Sequence, residues 1–349
     1  MPAAARKILK PARSGLLPGV RAPAGLAFFL FLTGLTAPLA WSQQLTLRYG
    51  QALSAHKSIF SLPVAIAERE GLFKREGLDF RVVIPQPGGA DRMIDALHDD
   101  TVDVTHVATP FLVRAALGGS DAVAIAAEFN NPIYSLVGRA DVARVADLKG
   151  KVVGMADPAG SIAFSMRKLF ALHGVRESDL KLRTIDGTPA RLACLKRGDC
   201  AAVPLGQPQD LMAQSEGYRV LGYSTEAMPE FVYTVSAARR SWAAANREAV
   251  VRYVRALAAA FAVIRDPARR GTVVQAIVET TGAPPAIAER TLALYFEPER
   301  KVLPRRGEID PRGFARVIEF MAESGQIKAP LPAPERFVDT QYLHAAGIR

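Results

Sequence analysis

One order of segments occurs twice in this chain, and it limits the fold more than composition does. The stretch "LDFRVVIPQPGGADRMIDALHDDTVDVTHVATP" (78–110) reads as strand, turn, short helix, charged turn ending at Asp103, short strand, and a loop closing on Pro110. The stretch "LKLRTIDGTPARLACLKRGDCAAVPLGQP" (180–208) repeats that order, with Asp199 and Pro208 in the matching places. Two neighbouring parallel strands need a crossover of this kind, because a tight turn can join only antiparallel ones. A chain that builds the βαβ unit twice is expected to form two α/β lobes.

The flanking segments extend the same alternation. "LTLRYG" (45–50), "AVAIAAEF" (122–129) and "IYSLVGR" (133–139) read as strands. "LPVAIAEREGLF" (62–73) reads as a helix with Pro63 in its first turn and Gly71 at its end. "VVGMADPAGSIAFSMRKLF" (152–170) is a strand, a turn with Asp157, Pro158 and Gly160, and a helix opened by Ser161. The polar stretch 139–151 is read as the first crossover between lobes, and "EFVYTVSA" (230–237) as the returning strand. Lobe one would then hold 43–138 and 230–349, and lobe two 139–229. One long amphipathic helix is expected over 241–266.

Hydrophobic residues make up 49% of the chain, enough for a packed core and too many for a disordered one. Residues 1–42 read as an export signal rather than part of the fold. Arg6, Lys7, Lys10, Arg13 and Arg21 form a cationic start, "LAFFLFLTGL" (26–35) an apolar middle, and "AWS" (40–42) a small-residue cleavage site. An uncleaved anchor is the other reading of this segment. The formal net charge is +10, and those five cations supply half of it. The remaining charges are interspersed and lack interleaved aromatics, so nucleic-acid binding is not expected. Cys194 and Cys200 can close a short disulfide loop in an oxidising compartment, or remain two small buried thiols. Without a nearby histidine pair they make no metal site.

The segment "LPVAIAEREGLFKREGLDFRVV" resembles the opening motif of periplasmic binding proteins for nitrate-, sulfonate- and taurine-type ABC importers. "DLKGKVVGMADPAGS" resembles that family's entry into the second lobe. "ALHDDTVDV" and "CLKRGDCAAV" resemble its two Leu-x-Gly-x-x-Asp segments, the first without the glycine. The resemblance covers nearly the whole chain after the signal. It implies a two-lobe periplasmic binding protein fold of type II kind, with mostly parallel sheets, flanking helices, two crossovers and a ligand in the cleft. The superfamily also contains an enzyme that makes a pyrimidine precursor of thiamine. That enzyme carries a cysteine-rich iron motif, and this sequence has no such cluster.

Four loops are expected at the cleft, since ligands of open α/β sheets sit beyond the carboxyl ends of the strands. Ser54, His56 and Ser61 lie in the first, although a surface histidine is the plainer reading of His56. Gly88 and Gly89 lie in the second, where a simple turn would also explain them. Thr109 and Pro110 open the helix of the third, and helix capping alone would account for Thr109. Gly160 and Ser161 form the fourth, at a helix start that favours an anion by about 0.3–1 kcal/mol. Gln207 corresponds to Thr109 in the repeat. Lys57 and Arg92 are the nearby cations. No Gly-x-Ser-x-Gly or His-Glu-x-x-His motif is present, so no catalytic residue is assigned. The expected protein is a periplasmic, monomeric solute-binding component without cofactor or metal, docking its ligand-loaded form on a membrane permease. The alternatives are a secreted enzyme of the same fold and a sensor that presents its ligand to a membrane receptor.

Overall fold

The computed structural model describes residues 45–85, 92–131, 133–228, 230–297 and 300–349. The predicted segments assemble into two five-stranded sheets. The strands of the first are β1 (Leu45–Gly50), β2 (Leu78–Val83), β3 (Val104–Ala108), β4 (Ala122–Phe129) and β10 (Thr234–Arg239). Those of the second are β5 (Ser135–Gly138), β6 (Val152–Met155), β7 (Lys181–Thr184), β8 (Ala202–Leu205) and β9 (Arg219–Tyr223). The orders are β2-β1-β3-β10-β4 and β7-β6-β8-β5-β9. The two sheets match position by position.

Each sheet is mixed, and in the same way. β1 pairs in parallel with β2 and β3, as β6 does with β7 and β8. β10 runs antiparallel between β3 and β4, and β5 runs antiparallel between β8 and β9. Four strands of each sheet therefore point one way, and the fifth is the strand by which the chain has just arrived from the other lobe. Strands covered on both faces read as continuous apolar runs. β4 is buried at all eight residues.

The position of β5 corrects the first crossover. Its hydrogen bonds to β8 and β9 place it in the second sheet. The chain thus changes lobes between Phe129 and Ser135, ahead of 139–151. Sequence could not show this, because β5 is as apolar as β4 and its partner lies 70 residues on, Ser135 facing Leu205. The 139–151 stretch instead holds a short 3-10 helix, Val145–Leu148, tied at its start by Asp147. The return runs between Tyr223 and Thr234.

Helices cover the sheets. The 19-residue helix Arg247–Arg265 buries Val250, Tyr253, Val254, Leu257, Phe261 and Ile264, a three- and four-residue spacing that makes one apolar stripe. It packs on the helix Leu62–Arg69. The expected single helix over 241–266 is broken at Asn246 into Arg240–Ala245 and Arg247–Arg265. Asn246 leaves helical geometry at φ −116°, ψ 35°, and both its backbone N–H and its side-chain amide donate to the Trp242 carbonyl. In lobe two a disulfide joins Cys194, near the end of the helix Thr188–Lys196, to Cys200, just before β8. A Cβ on Gly154 of β6 would lie 3.0 Å from the Cys200 sulfur, Ile185 and Val203, so this position has room only for hydrogen. No helix among the described residues is long and apolar enough to cross a membrane.

Candidate ligand cleft

The carboxyl ends of β1, β3, β6 and β7 converge on a cavity of about 320 Å³ between the two sheets. Lobe one supplies Ser54, Ser58 and Phe60 from the loop after β1, His106 and Ala108 from β3, and Phe111 from the helix that follows. Lobe two supplies Asp157, Gly160 and Ser161 after β6, then Asp186, Gly187, Thr188 and Arg191 after β7. The crossovers add Tyr134, Tyr233 and Thr234. The lobes come close at the rim: a Cβ on Gly187 would lie 3.8 Å from Ser54 Cβ, and one on Gly160 3.8 Å from Phe111. Gly187 takes φ +75°, a left-handed conformation that suits glycine and turns the chain from β7 into the next helix.

Three helices begin at the cavity: Thr109–Leu117, Ser161–Leu172 and Thr188–Lys196. They follow Ala108, Gly160 and Gly187, and none receives a side-chain cap there. Unpaired N–H groups at such ends carry partial positive charge. Ser161 is 1% exposed, and its hydroxyl has no hydrogen-bond partner among the described residues. The Thr234 hydroxyl, also buried on the cavity wall, has none either. A buried hydroxyl left unpaired costs about 1–3 kcal/mol, so these two mark places where a ligand would complete the bonding.

Arg191 is the strongest charge in the cavity. Its side chain is 2% exposed. Nε donates to Pro204 O (2.8 Å), one terminal nitrogen to Ile185 O (3.1 Å) and the other to Thr188 Oγ1 (3.1 Å). All three acceptors are neutral, and a guanidinium has five N–H donors, so two have no partner among the described residues. Burial pulls its pKa below the ordinary arginine value, with Tyr134, Tyr233 and Asp186 acting the other way. An arginine remains cationic under such a pull.

The cavity floor is aromatic. The Phe60 ring stacks on Tyr134 at 6.1 Å and tilts against Tyr233 at 5.3 Å. The Tyr134 and Tyr233 hydroxyls are 3.2 Å apart, and burial raises both phenols, so both stay protonated. The site thus offers a cation and helix starts on the lobe-two side, and flat apolar surface at the crossovers.

Of the residues singled out from sequence, Ser54, Gly160 and Ser161 line this cavity. Gly88 and Gly89 lie outside the described residues. Ser61 does not reach the cavity; its hydroxyl braces the loop by donating to His56 O at 2.7 Å. His56 also lies off the wall, its Nδ1 3.3 Å from Gln51 Oε1. Thr109 is the first helical residue, with Ala108 in the cap position, and its hydroxyl donates to Tyr233 O at 3.2 Å. It ties the helix to the return crossover, with Pro110 buried beside it. Gln207 donates to Asp210 at 2.9 Å rather than facing the cleft. Arg92 is exposed and pairs with Asp95 at 3.2 Å, and Lys57 is exposed. Sequence reading missed Arg191, His106 and the aromatic floor. The repeat held no signal for the first, since matching Leu97 to Leu195 and Pro110 to Pro208 sets Arg191 opposite Met93.

Two pseudo-symmetric α/β lobes, each completed by a strand crossing from the other, with a polar cleft at the strand ends, define a two-lobed α/β cleft architecture. The chain belongs to the NMT1/THI5-like family, whose model matches residues 60–269. A sequence search of curated proteins finds no match. Among solved structures, the chain is similar to the periplasmic nitrate-binding protein NrtA from Synechocystis PCC 6803. The TM-score is 0.72 at 15% identity, covering 87% of this chain and 89% of that one. It is similar to the alkanesulfonate-binding protein SsuA from Xanthomonas axonopodis pv. citri bound to MOPS, with TM-score 0.67, 18% identity, and coverage of 83% and 97%. It is also similar to the desulfurization enzyme DSZB, with TM-score 0.62, 15% identity, and coverage of 86% and 98%. At these identities the likeness is one of fold.

Proposed function

We propose that this chain is the solute-binding component of an ABC importer and carries a small anion with an apolar body between its lobes. The buried guanidinium of Arg191 carries the reading. Desolvating a cation costs several kcal/mol unless an anion meets it, and its three protein acceptors are uncharged. A carboxylate or sulfonate on the two remaining N–H groups would repay that cost, aided by the Ser161 helix start and its unpaired hydroxyl. The aromatic floor suits an alkyl chain or a flat ring. Family membership and the nitrate- and sulfonate-binding neighbours support the same class of cargo. Export by the 1–42 segment would place the protein in the periplasm, where a membrane permease would receive the closed form.

The test is native mass spectrometry of protein purified from its own envelope fraction, followed by a thermal-shift panel of small carboxylates and sulfonates. A bound anion released unchanged is expected. Arg191→Lys, which keeps the charge and loses the planar fork, should weaken its binding at least about tenfold. Turnover of the bound molecule, or undiminished binding by the variant, would overturn the reading.

A further inference from the structure

A second polar centre lies on the lobe-one side of the same cavity, and the anion site leaves it unused. His106 stands in β3, 7% exposed, with that exposure on the cavity wall. Behind it Glu128 of β4 is 0% exposed. Glu128 accepts from the Tyr49 hydroxyl, which lies 2.9 Å from Oε1 and 3.0 Å from Oε2, and from the Ser236 hydroxyl at 2.7 Å on Oε1. Its Oε2 lies 2.8 Å from His106 Nδ1. The Tyr253 hydroxyl lies 2.8 Å from Ser236 and completes the chain. Five buried polar side chains are joined here in one connected network, and such networks fix side-chain geometry.

The bonding decides what His106 shows the ligand. Burial and the neighbouring Glu128 keep the Tyr49 phenol protonated, so it is a donor. With hydroxyl donors converging on both of its oxygens, Glu128 is held as a carboxylate, and an ionised carboxylate has no hydrogen to give the ring. His106 Nδ1 must then carry hydrogen, and in the neutral ring Nε2 is a bare acceptor. No hydrogen bond occupies Nε2 among the described residues. The Thr234 hydroxyl, without a partner among the described residues, offers a further acceptor on the same cavity.

We infer that His106 is a specificity residue, positioned by Glu128, that selects an anion bearing a hydroxyl or N–H donor at the end away from Arg191. The inference rests on the anion reading of Arg191 given above. A site built to receive a hydroxyl rejects the analogue without it strongly, because its own acceptor is left unpaired. Glu128 acts through His106 and touches no ligand.

The test uses the full chain and matched probe pairs at pH 8: ethanesulfonate against 2-hydroxyethanesulfonate, propionate against 3-hydroxypropionate, and benzoate against 4-hydroxybenzoate. Calorimetry reads the affinity ratio within each pair. The wild type should prefer the hydroxylated member of at least one pair by about tenfold or more. His106→Phe should remove that preference, bringing the affinity ratio within each pair to about one. Glu128→Gln is the sharper variant. Ser236, which donates to Oε1 alone, would hold the amide oxygen at that place, turning the NH2 toward Nδ1. The ring would then carry its hydrogen on Nε2, and the preference should vanish or reverse. The imidazole nitrogen NMR spectrum of the wild type should show the Nδ1–H form. Equal affinity within every pair, a preference that survives either variant, or an Nε2–H ring in the wild type would overturn the inference and leave the anion site standing. Binding of no probe by the wild type would overturn the anion reading and this inference with it.

Discussion

At the scale of single residues, the cleft separates groups that brace the fold from groups left open. Ser161 is the clearest open one, since its hydroxyl has no partner among the described residues. Ser161→Ala should therefore leave urea stability unchanged or slightly raised while weakening anion binding about tenfold or more, the worth of one hydrogen bond to a charged group. Affinity and unfolding measured on the same preparation check both halves. Asp210 is a bracing group. It accepts from Ser135 at 2.6 Å, Gln207 at 2.9 Å and its neighbour Leu211 N at 2.7 Å. Burial nevertheless raises its carboxyl pKa above the ordinary value, outweighing those donors. A carboxyl raised by folding binds its proton more tightly in the folded state. Its contribution is full at low pH and is lost as pH climbs from the unfolded value through the folded one. The stability of Asp210→Asn relative to wild type should thus improve between about pH 4 and about pH 7, read by urea unfolding at both. A flat difference would remove the argument. Sequence could name Ser161 because a helix start after a lobe-two strand is a local pattern. It could not name Arg191, because a buried arginine and a solvated one look alike in "TPARLACLKRG", and only packing separates Arg191 from Arg92.

At the scale of elements, most strands and helices were legible because their signals are local. Alternating apolar runs, Pro in first turns and Gly71 at φ +63° between two helices need no distant partner. Strand membership of a sheet is not local, and β5 went to the wrong lobe for that reason. The disulfide is also an element-scale device. It fastens the end of the helix Thr188–Lys196 to the start of β8 across a separation of six residues. Closing so short a loop restricts the unfolded chain by about 2 kcal/mol in the chain-entropy account. Reduced protein should unfold at lower urea by that amount, and lobe two should be the part that loosens. Hydrogen exchange of β8 and its neighbours, with and without reductant, reads this. Equal protection in both states would show the bond to be dispensable.

At the scale of the whole molecule, the exchange of strands between lobes has a consequence for biosynthesis. All five strands of lobe two lie in one unbroken stretch, from Ser135 to Tyr223. Lobe one cannot close its sheet until β10 slides between β3 and β4, which have no ladder with each other. The inner lobe can therefore form while the outer one waits, although β1 to β4 are made first. A fragment spanning 133–228 has its own core in Val137, Leu192, Leu195, Val203 and Leu205. It should unfold cooperatively, at lower stability than the full chain, whereas a chain stopped before Thr234 should show protease-sensitive β1 to β4. An unfolded 133–228 fragment would refute the order. On this account the cargo cleft is finished last: its lobe-two half stands ready, and its lobe-one half arrives only when the carboxyl-terminal third of the chain has been made.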